Sequence, residues 1–211
     1  TLEAQNDRLE KFASIVSHDL RNPLNTADGY LEIVEETGDL DQLDRVEKAL
    51  DRMDAIIRDM HVLTRQSDAP ADLDAVALDR VVENAWKMVG EMSEEATLTI
   101  ADDLGQIRAD ESYLCQLLEN LFQNAITHGG SAVAVSVSAL EDGFAVSDDG
   151  PGIPVEEREQ VFEHGHTTSE SGTGLGLYIV KEIAESKGWT VAVTESESGG
   201  ACFEIHGVTP A

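Results

Sequence analysis

Positive charge is what this sequence has least of. Its 211 residues carry 14 Lys and Arg against 42 Asp and Glu, which gives a formal net charge of -28. Nucleic acids and anionic membranes would be repelled by that charge, so we exclude both as partners. The acidic residues are spread through apolar patterns and not gathered in a tail, which argues against disorder. The excess of acidic residues predicts a halophilic protein, because the Debye length falls to roughly 3 Å near 1 M salt and the repulsion between the carboxylates is then screened. An ordinarily acidic protein is the alternative.

Cysteine and long apolar runs are also scarce. Cys115 and Cys202 form no CxxC pair, and we interpret them as reduced core residues of a cytoplasmic protein. No apolar run approaches the ~20 residues of a membrane helix, so we expect no membrane contact by this chain. Its first residues already follow a helical pattern without a cap, which indicates a fragment whose helix continues from an upstream segment.

Two amphipathic helices open the chain. Apolar residues recur at three- and four-residue spacing to about Glu36, and Thr37-Gly38-Asp39 supplies one helix end and the next helix start. A second helix follows from Leu40, with coiled-coil spacing of Leu43, Val46, Leu50, Met53, Ile57, Met60 and Thr64. One hairpin cannot cover its own apolar stripe, so we predict a homodimeric four-helix bundle over residues 1–65. The polar stretch 66–72 is the predicted linker to a second domain, 73–211.

A polar cluster, SHDLRNPL, interrupts the first helix. His18 falls on its outer side, and taken alone it is most simply a solvent-facing residue. The adjacent Asp19 can hold one ring nitrogen and take up the imidazole proton, which leaves the other nitrogen as a nucleophile. Asn22 lies one turn further and could orient a water for the reverse, hydrolytic reaction. Pro23 removes the partner of the Asp19 carbonyl, so the helix can kink there.

The second domain alternates helical and strand patterns. We predict an α+β sandwich, with one sheet that carries helices on one face. The predicted helices span 79–91, 111–128, 155–164 and 174–187. The predicted strands span 75–78, 96–101, 106–109, 132–140, 143–147, 190–194 and 201–207, with a turn at Asp102-Asp103-Leu104-Gly105 between the second and the third.

Two asparagines share one face of the helix predicted over 111–128. Asn120 and Asn124 are four residues apart, and the leucines around them form an apolar stripe. Solvated polar residues are the simpler interpretation, but amides that border such a stripe favour a function. Amide oxygens suit Mg²⁺, which takes few protein ligands besides phosphate oxygens and water.

Two glycine-rich segments complete the pattern. Asp148-Asp149-Gly150-Pro151-Gly152 follows a strand, where Asp148 can accept the exocyclic amine of adenine while Gly150 and Gly152 let the backbone approach the base. A plain turn is the alternative. The second segment, Gly172-Thr173-Gly174-Leu175-Gly176, opens a helix, and its backbone N–H groups can face phosphate. Its spacing is neither the Rossmann nor the Walker A pattern.

The stretch 164–172 between these segments is polar and glycine-rich, and we predict a mobile lid. His164 and His166 have a metal-like spacing, but with no further Cys or His nearby we predict no metal there.

Taken in order, the motifs resemble those of sensor histidine kinases of two-component systems over essentially the whole chain. SHDLRNPL is similar to the family's histidine box, ENLFQNAITHG to its asparagine box, DDGPGIP and GTGLGL to its glycine boxes, and VFEHG to its phenylalanine box. The resemblance implies a dimeric four-helix bundle hairpin followed by an α+β sandwich domain that binds ATP and Mg²⁺. It also implies an upstream sensor domain and a response regulator as the partner that receives the phosphoryl group on an aspartate.

The resemblance further implies residue roles. It makes His18 the phosphoryl acceptor, Asp19 the base and Asn22 an aid to phosphatase activity. In the second domain it makes Asn124 the Mg²⁺ ligand and Asp148 the acceptor for adenine, while Asn120 helps to position the ion or the phosphates.

One departure from the family concerns the end of the asparagine box. Thr127 and His128 stand where the family commonly has Lys or Arg and then an aromatic residue. Because phosphoryl transfer depends on positioning and charge neutralisation, the lost cation predicts a slower kinase, with His128 or K⁺ as candidates to replace it. A superfamily ATPase, a non-enzymatic scaffold and a phosphatase-dominant protein are the competing interpretations.

Overall fold

A computed structural model describes residues 2–65, 73–90, 93, 95–163, 165 and 174–211, with the backbone alone for 2–19, 54–55 and 58–65. The chain divides into two compact units, Thr1–Arg65 and Gln66–Ala211. The predicted linker, 66–72, lies outside the described residues, so the domain boundaries stay a prediction.

The first unit is a helical hairpin. Helix α1 spans Leu2–Thr37, a 3-10 turn spans Leu40–Gln42, and helix α2 spans Leu43–Arg65. Gly38 has a φ of 69°, a left-handed conformation that suits glycine at a helix end. The Asp39 side chain then accepts a hydrogen bond from the Asp41 N–H and caps the following turn. The break expected at Thr37-Gly38-Asp39 is therefore where the chain reverses.

The apolar residues of the hairpin form two sets. Ala27, Val46 and Ala49 are buried between the helices, with Tyr30 packed against them. A second set remains 41 to 53% exposed at seven-residue intervals on each helix, and we call it the exposed stripe: Leu24, Leu31, Leu43, Leu50 and Ile57. The heptad pattern thus serves the hairpin with one set of positions and leaves the other uncovered in the single chain.

In the residues that the structure describes, the second unit contains three α-helices and seven strands. The helices are α3 (Leu78–Val89), α4 (Glu111–Gly129) and α5 (Gly176–Ser186). The strands are β1 (Asp74–Ala77), β2 (Thr97–Ile100), β3 (Gln106–Ala109), β4 (Ala134–Leu140), β5 (Gly143–Asp148), β6 (Thr190–Glu195) and β7 (Ala201–His206). Five of them form a sheet in the order β2-β4-β5-β7-β6, in which only the β2–β4 pair is parallel.

The expectation of a single sheet was wrong. Strand β3 does not pair with β2 but with β1, antiparallel, in a separate two-stranded sheet with Val76 opposite Ile107. Between β2 and β3 the chain turns at Gly105, which has a φ of 69°. Val76, Ile107 and Ala109 are buried, so the pairing of β3 with β1 removes apolar side chains of both strands from solvent.

The helix predicted over 155–164 is also different in the structure. Two 3-10 turns, Val155–Glu157 and Gln160–Phe162, stand in its place. Only the second one is anchored, because Phe162 is buried edge-on against Phe203 with ring centroids 6.3 Å apart. Val155 remains 72% exposed, so the first turn lacks the apolar contacts that would stabilise a longer helix.

Helix α4 is the centre of the core. Leu117, Leu118 and Phe122 are fully buried, and Trp86 of α3 meets the Phe122 ring edge-on at 5.3 Å. Burial alternates along β4 and β7, which is the pattern of a sheet with one face under the helices.

The two cysteines are free but half-buried, and so they are not the core residues that the sequence predicted. In the described part of the chain, no helix combines the length and the apolar character that a membrane span requires.

Candidate functional site

Asp148 ends β5 as the one charged side chain among the buried residues that the structure describes, with 8% of its surface exposed. Its Oδ1 accepts hydrogen bonds from the Gly150 N–H at 2.9 Å and the Ala201 N–H at 3.1 Å. Burial raises the pKa of this carboxyl group, while those two donors and the nearby charge of His128 oppose the rise. A buried acceptor of this kind is suited to one hydrogen-bond donor on a ligand.

The backbone packs closely around Asp148, and glycines make this possible. A Cβ on Gly150 would lie 2.9 Å from both Asp148 Oδ1 and the Cα of Gly129 at the end of α4. Gly152 has a φ of 71°, and a Cβ there would lie 2.9 Å from the Gly199 carbonyl oxygen. The segment after β5 is therefore pressed between the end of α4 and the turn that joins β6 to β7.

That β6–β7 turn belongs to the site, although the sequence analysis did not single it out. The Ser196 hydroxyl donates to the backbone oxygen of Asp148 at 2.7 Å, and Ala201 supplies one of the two donors to the carboxylate. The available signal was the Gly199-Gly200 pair between two predicted strands, which marks a tight hairpin but gives no information on its distant partner.

The two asparagines of α4 border the start of α5. Asn120 Nδ2 donates to the Gln116 carbonyl at 2.9 Å, which turns Oδ1 toward α5: a Cβ on Gly176 would lie 3.2 Å from it. Asn124, one turn further along α4, is likewise half-buried. Since Gly176 is the first residue of α5, an amide oxygen of α4 faces a helix N-terminus, where anions are favoured.

The end of α4 offers polar groups and carries no Lys or Arg. Thr127 and His128 are both exposed in the last turn, just before Gly129 ends the helix. His128 is the residue there that lies close enough to Asp148 to lower the pKa of its carboxyl group. The position that carries a Lys or Arg in the resembled family thus faces solvent as a threonine.

The second glycine-rich segment is described in part. Gly174 has a φ of 69°, its carbonyl accepts from the Gly165 N–H at 3.0 Å, and a Cβ on it would lie 2.6 Å from the Gly165 carbonyl carbon. Leu175 is buried directly before α5 begins. Gly172 and Thr173 lie outside the described residues, as do His164, His166 and most of the predicted lid.

The polar cluster of the first unit lies within α1. The backbone of His18 and Asp19 is helical, and their side chains lie outside what the structure describes. Asn22 is exposed, and its carbonyl accepts from Thr26 Oγ1 at 3.0 Å. Helix α1 continues through Pro23 as one element.

Metal-binding capacity at the site rests on oxygen atoms of amides. Among the described residues, no group of three or more His, Cys, Asp or Glu side chains converges as a metal site would require. Asn120 and Asn124 supply hard oxygen donors on one face of α4, which fit an ion that takes most of its ligands from phosphate and water.

These features define a class of protein. A buried acceptor after a strand, an amide oxygen facing a helix N-terminus and glycines on either side are the parts of a nucleotide-binding domain, here preceded by a helical hairpin with a histidine.

The family comparisons agree with this class. Residues 8–68 match the family described as "His Kinase A (phospho-acceptor) domain", and residues 109–208 match the "Histidine kinase-, DNA gyrase B-, and HSP90-like ATPase" family. The two matches together cover most of the chain, which therefore belongs to the histidine kinases and carries their two-module core.

Curated relatives extend the match across both units. The chain is 33% identical over 210 residues to the sensor histidine kinase ZraS of Escherichia coli K12, which covers 93% of this chain and 45% of that protein. It is 31% identical over 215 residues to the sensor protein kinase PilS of Pseudomonas aeruginosa, covering 93% of this chain and 40% of that one. The chain thus spans less than half the length of these relatives.

Solved structures show the same fold. The Acinetobacter baumannii histidine kinase AdeS superimposes with a TM-score of 0.72 at 19% identity, over 92% of this chain and 97% of that one. The mycobacterial sensor histidine kinase MprB superimposes with a TM-score of 0.56 at 26% identity, over 65% of this chain and 97% of that one. The chain is a protein histidine kinase core, in which a module that carries the phosphoryl acceptor precedes a module that binds ATP.

Proposed function

We propose that this chain transfers the γ-phosphoryl group of ATP to His18 and then to an aspartate of a response regulator. The observation that carries the proposal is the buried Asp148 carboxylate, held through Oδ1 near the C-terminal end of α4, in a chain whose phosphoacceptor match spans His18. An ATPase without a phosphoacceptor would not need that first module, and a scaffold would not need to retain the buried carboxylate.

His18 is the proposed acceptor. One imidazole nitrogen attacks the γ-phosphorus, the bond to the bridging oxygen breaks, and ADP leaves with the electron pair of that bond. Asp19 holds the other ring nitrogen and takes up the proton that the imidazole loses. Asn22, exposed one turn further, is proposed to orient a water when phosphohistidine or the regulator is dephosphorylated.

Asp148 is the proposed reader of the base. Both backbone donors bind Oδ1, so Oδ2 is the oxygen proposed to accept the adenine amine. Gly150 and Gly152 permit the close packing around Asp148 on which this role depends, because a Cβ at either position would lie 2.9 Å from a neighbouring backbone atom. The N-terminus of α5, opened by Gly172, Thr173, Gly174, Leu175 and Gly176, is proposed to face the phosphates.

Asn124 is the proposed Mg²⁺ ligand, with Asn120 placing the ion or the phosphates. The ion neutralises charge on the phosphates when it is bound. Asn120 is held by its bond to the Gln116 carbonyl and presents Oδ1 to the first residue of α5. With Thr127 exposed and uncharged, His128 or a solvent cation is proposed to supply the remaining positive charge, and the kinase step is expected to be slow. The same feature keeps a phosphatase-dominant balance as the second candidate.

We propose a homodimer through the hairpin. The exposed stripe repeats every seven residues, the spacing with which helices pair in coiled coils, and a second copy would cover it.

We propose that the whole protein has an upstream sensor domain and that this core meets its response regulator in the cytoplasm.

A halophilic origin is proposed from the excess of acidic residues. Asp79, Glu83, Asp102 and Asp103 line one open cavity, where like charges repel until salt screens them. We therefore expect the melting temperature to rise steadily with KCl up to molar concentrations; a Tm that is flat above about 0.15 M, where the Debye length is already about 8 Å, would contradict this origin.

The kinase proposal is tested with γ-labelled ATP and Mg²⁺ in molar KCl. Wild type should acquire label that is labile in acid and stable in alkali, and His18→Gln should acquire none. Asn25→Ala, an exposed position on the same helix, is the matched control and should label like wild type. Unchanged label in His18→Gln would mean that another residue is the acceptor. ATP binding without label in wild type, with a sensor domain attached, would favour the phosphatase-dominant alternative.

A further inference from the structure

The turn between β6 and β7 contacts Asp148 at both its backbone and its side chain. Ser196 Oγ donates to the Asp148 carbonyl at 2.7 Å, and the Ala201 N–H donates to Asp148 Oδ1 at 3.1 Å. These partners come 48 and 53 residues after Asp148 in the chain. The position of the buried carboxylate therefore depends on a distant hairpin.

Ser196 joins the two contacts into one unit. Its hydroxyl donates to Asp148 and accepts from the Gly200 N–H at 2.9 Å, so both of its bonds have a defined direction. The turn is also closed on itself, because the Ser196 N–H donates to the Gly200 carbonyl at 2.9 Å and the Gly199 N–H donates to the Ser196 carbonyl at 3.0 Å. A closed turn of this kind places the next N–H, that of Ala201, with little freedom.

Gly200 brings the turn into contact with Asp148. It is buried, and a Cβ there would overlap the Asp148 carbonyl oxygen and lie 2.5 Å from Oδ1. Glycine is the one residue type at position 200 that leaves space for the Asp148 carboxylate between the turn and β5, because every other type carries a Cβ. The turn and the end of β5 thus fix each other at van der Waals distance.

We propose that Ser196 is a positioning residue for base recognition: through the β6–β7 turn it sets the orientation in which Asp148 presents Oδ2 to the adenine amine. This inference rests on the proposed role of Asp148 in binding adenine. Among the described residues, both hydrogen bonds to the carboxylate end on Oδ1, so its rotation is held from the side of the turn and of Gly150. Removing the Ser196 hydroxyl loosens the Ala201 donor without touching the ligand.

The expected effect is a loss of discrimination between bases. In Ser196→Ala, the Kd for ATP should rise about tenfold, the loss of roughly one well-placed hydrogen bond to a charged group. The Kd for purine riboside triphosphate, which lacks the 6-amino group, should change less than about twofold, since Oδ2 has no partner on that base. Ser196→Thr keeps the hydroxyl and should restore the preference for ATP. Ser198→Ala is the control, an exposed serine of the same turn.

Competition titrations of the full chain in molar KCl, with ATP and purine riboside triphosphate as the competing nucleotides, measure these values. A merely structural role for Ser196 would weaken both nucleotides equally, and that outcome overturns the inference. Should Ser196→Ala fold poorly, Ser196→Cys carries the same expectation, because a thiol is close in size and a weak donor.

Asp148→Asn distinguishes a failure of the proposed role of Asp148 from a failure of the proposed role of Ser196. If this variant keeps the preference of wild type for ATP over purine riboside triphosphate, then Asp148 does not read the base and the proposed function of the pocket fails. If Asp148→Asn loses the preference while Ser196→Ala retains it in full, the pocket assignment stands and only the role of Ser196 is refuted. Loss of the preference in both variants, with no further loss when they are combined, supports the inference.

Discussion

Replacing Asp148 by Asn should leave stability equal or higher and weaken ATP binding in the same protein. The carboxylate is 8% exposed, and its Oδ1 accepts from two backbone N–H groups at 2.9 and 3.1 Å. Asn keeps a carbonyl oxygen for both bonds and removes the charge, whose burial raises the pKa of Asp148. A raised carboxyl pKa means that the ionised form is disfavoured in the fold, so the neutral side chain should leave Tm at pH 7 equal or higher.

The nucleotide experiences the opposite change. The amide puts an NH₂ donor where the carboxylate offers Oδ2, and the adenine amine is itself a donor. A hydrogen bond to a charged group contributes about 1.5–3 kcal/mol, so the Kd for ATP should rise about 10- to 150-fold. ITP carries a 6-keto acceptor in place of the amine and should lose far less, or gain, because the new NH₂ can donate to it.

The assay is displacement of a fluorescent nucleotide by ATP and by ITP, with melting curves on the same samples. Asp103→Asn removes the charge of an exposed carboxylate in the β2–β3 turn and is the matched control. It should change neither the Kd for ATP nor the Kd for ITP. The ATP affinity of the wild type should also fall as pH drops through the raised pKa of Asp148, at a higher pH than the ordinary carboxyl value of 3.8 would predict. Asp148→Asn should not show that fall. Equal weakening of ATP and ITP would refute the reasoning.

Three further outcomes follow from single contacts. Leu50, 53% exposed in the exposed stripe, becomes charged in Leu50→Glu, which should shift sedimentation toward the monomer; an unchanged dimer would place the interface elsewhere. His206 donates to Asp142 at 2.8 Å, which raises the pKa of His206 and lowers that of Asp142, so the pair stabilises fully between their ordinary values of 6.5 and 3.8. Tm should therefore decline as pH rises through the raised pKa of His206, and His206→Gln should flatten that decline; an identical decline in both would assign it to other groups. Gly176→Ala places a Cβ 3.2 Å from Asn120 Oδ1, so autophosphorylation should fall several-fold with Tm nearly unchanged, and full activity would show that the amide is free to move.

Local patterns made much of the fold predictable. Asn120 and Asn124 could be placed on one face of a helix because that relation depends only on four-residue spacing, and the helix predicted over 111–128 is observed as Glu111–Gly129. The reversal at Gly38 was predictable for the same reason, since a left-handed residue at a helix end is a local requirement. The division of the heptad positions was harder, because burial of Val46 and exposure of Leu50 depend on which helix packs against which face.

Long-range pairing was not predictable in the same way. Strands β2 and β3 are separated by a short turn, and such proximity usually means a hairpin, yet each pairs with a strand further away in the chain. The β1–β3 pair buries Val76 opposite Ile107, and no window of a few residues contains both of these side chains. The two 3-10 turns follow the same rule, because the second one includes Phe162, whose ring packs against Phe203 far along the chain.

The proposed base site explains why its motif is mostly glycine. The groups that hold Asp148 are backbone N–H groups of Gly150 and Ala201 and one hydroxyl, and backbone atoms leave no residue signature of their own. What the sequence does record is the space they need, as glycines at 150 and 200 where any Cβ would strike Asp148. A side chain at an exposed position, such as Thr127, can differ from the resembled family without disturbing this arrangement. Substitutions that add a Cβ at the base site should therefore abolish nucleotide binding, whereas changes at the end of α4 should alter the rate of phosphoryl transfer.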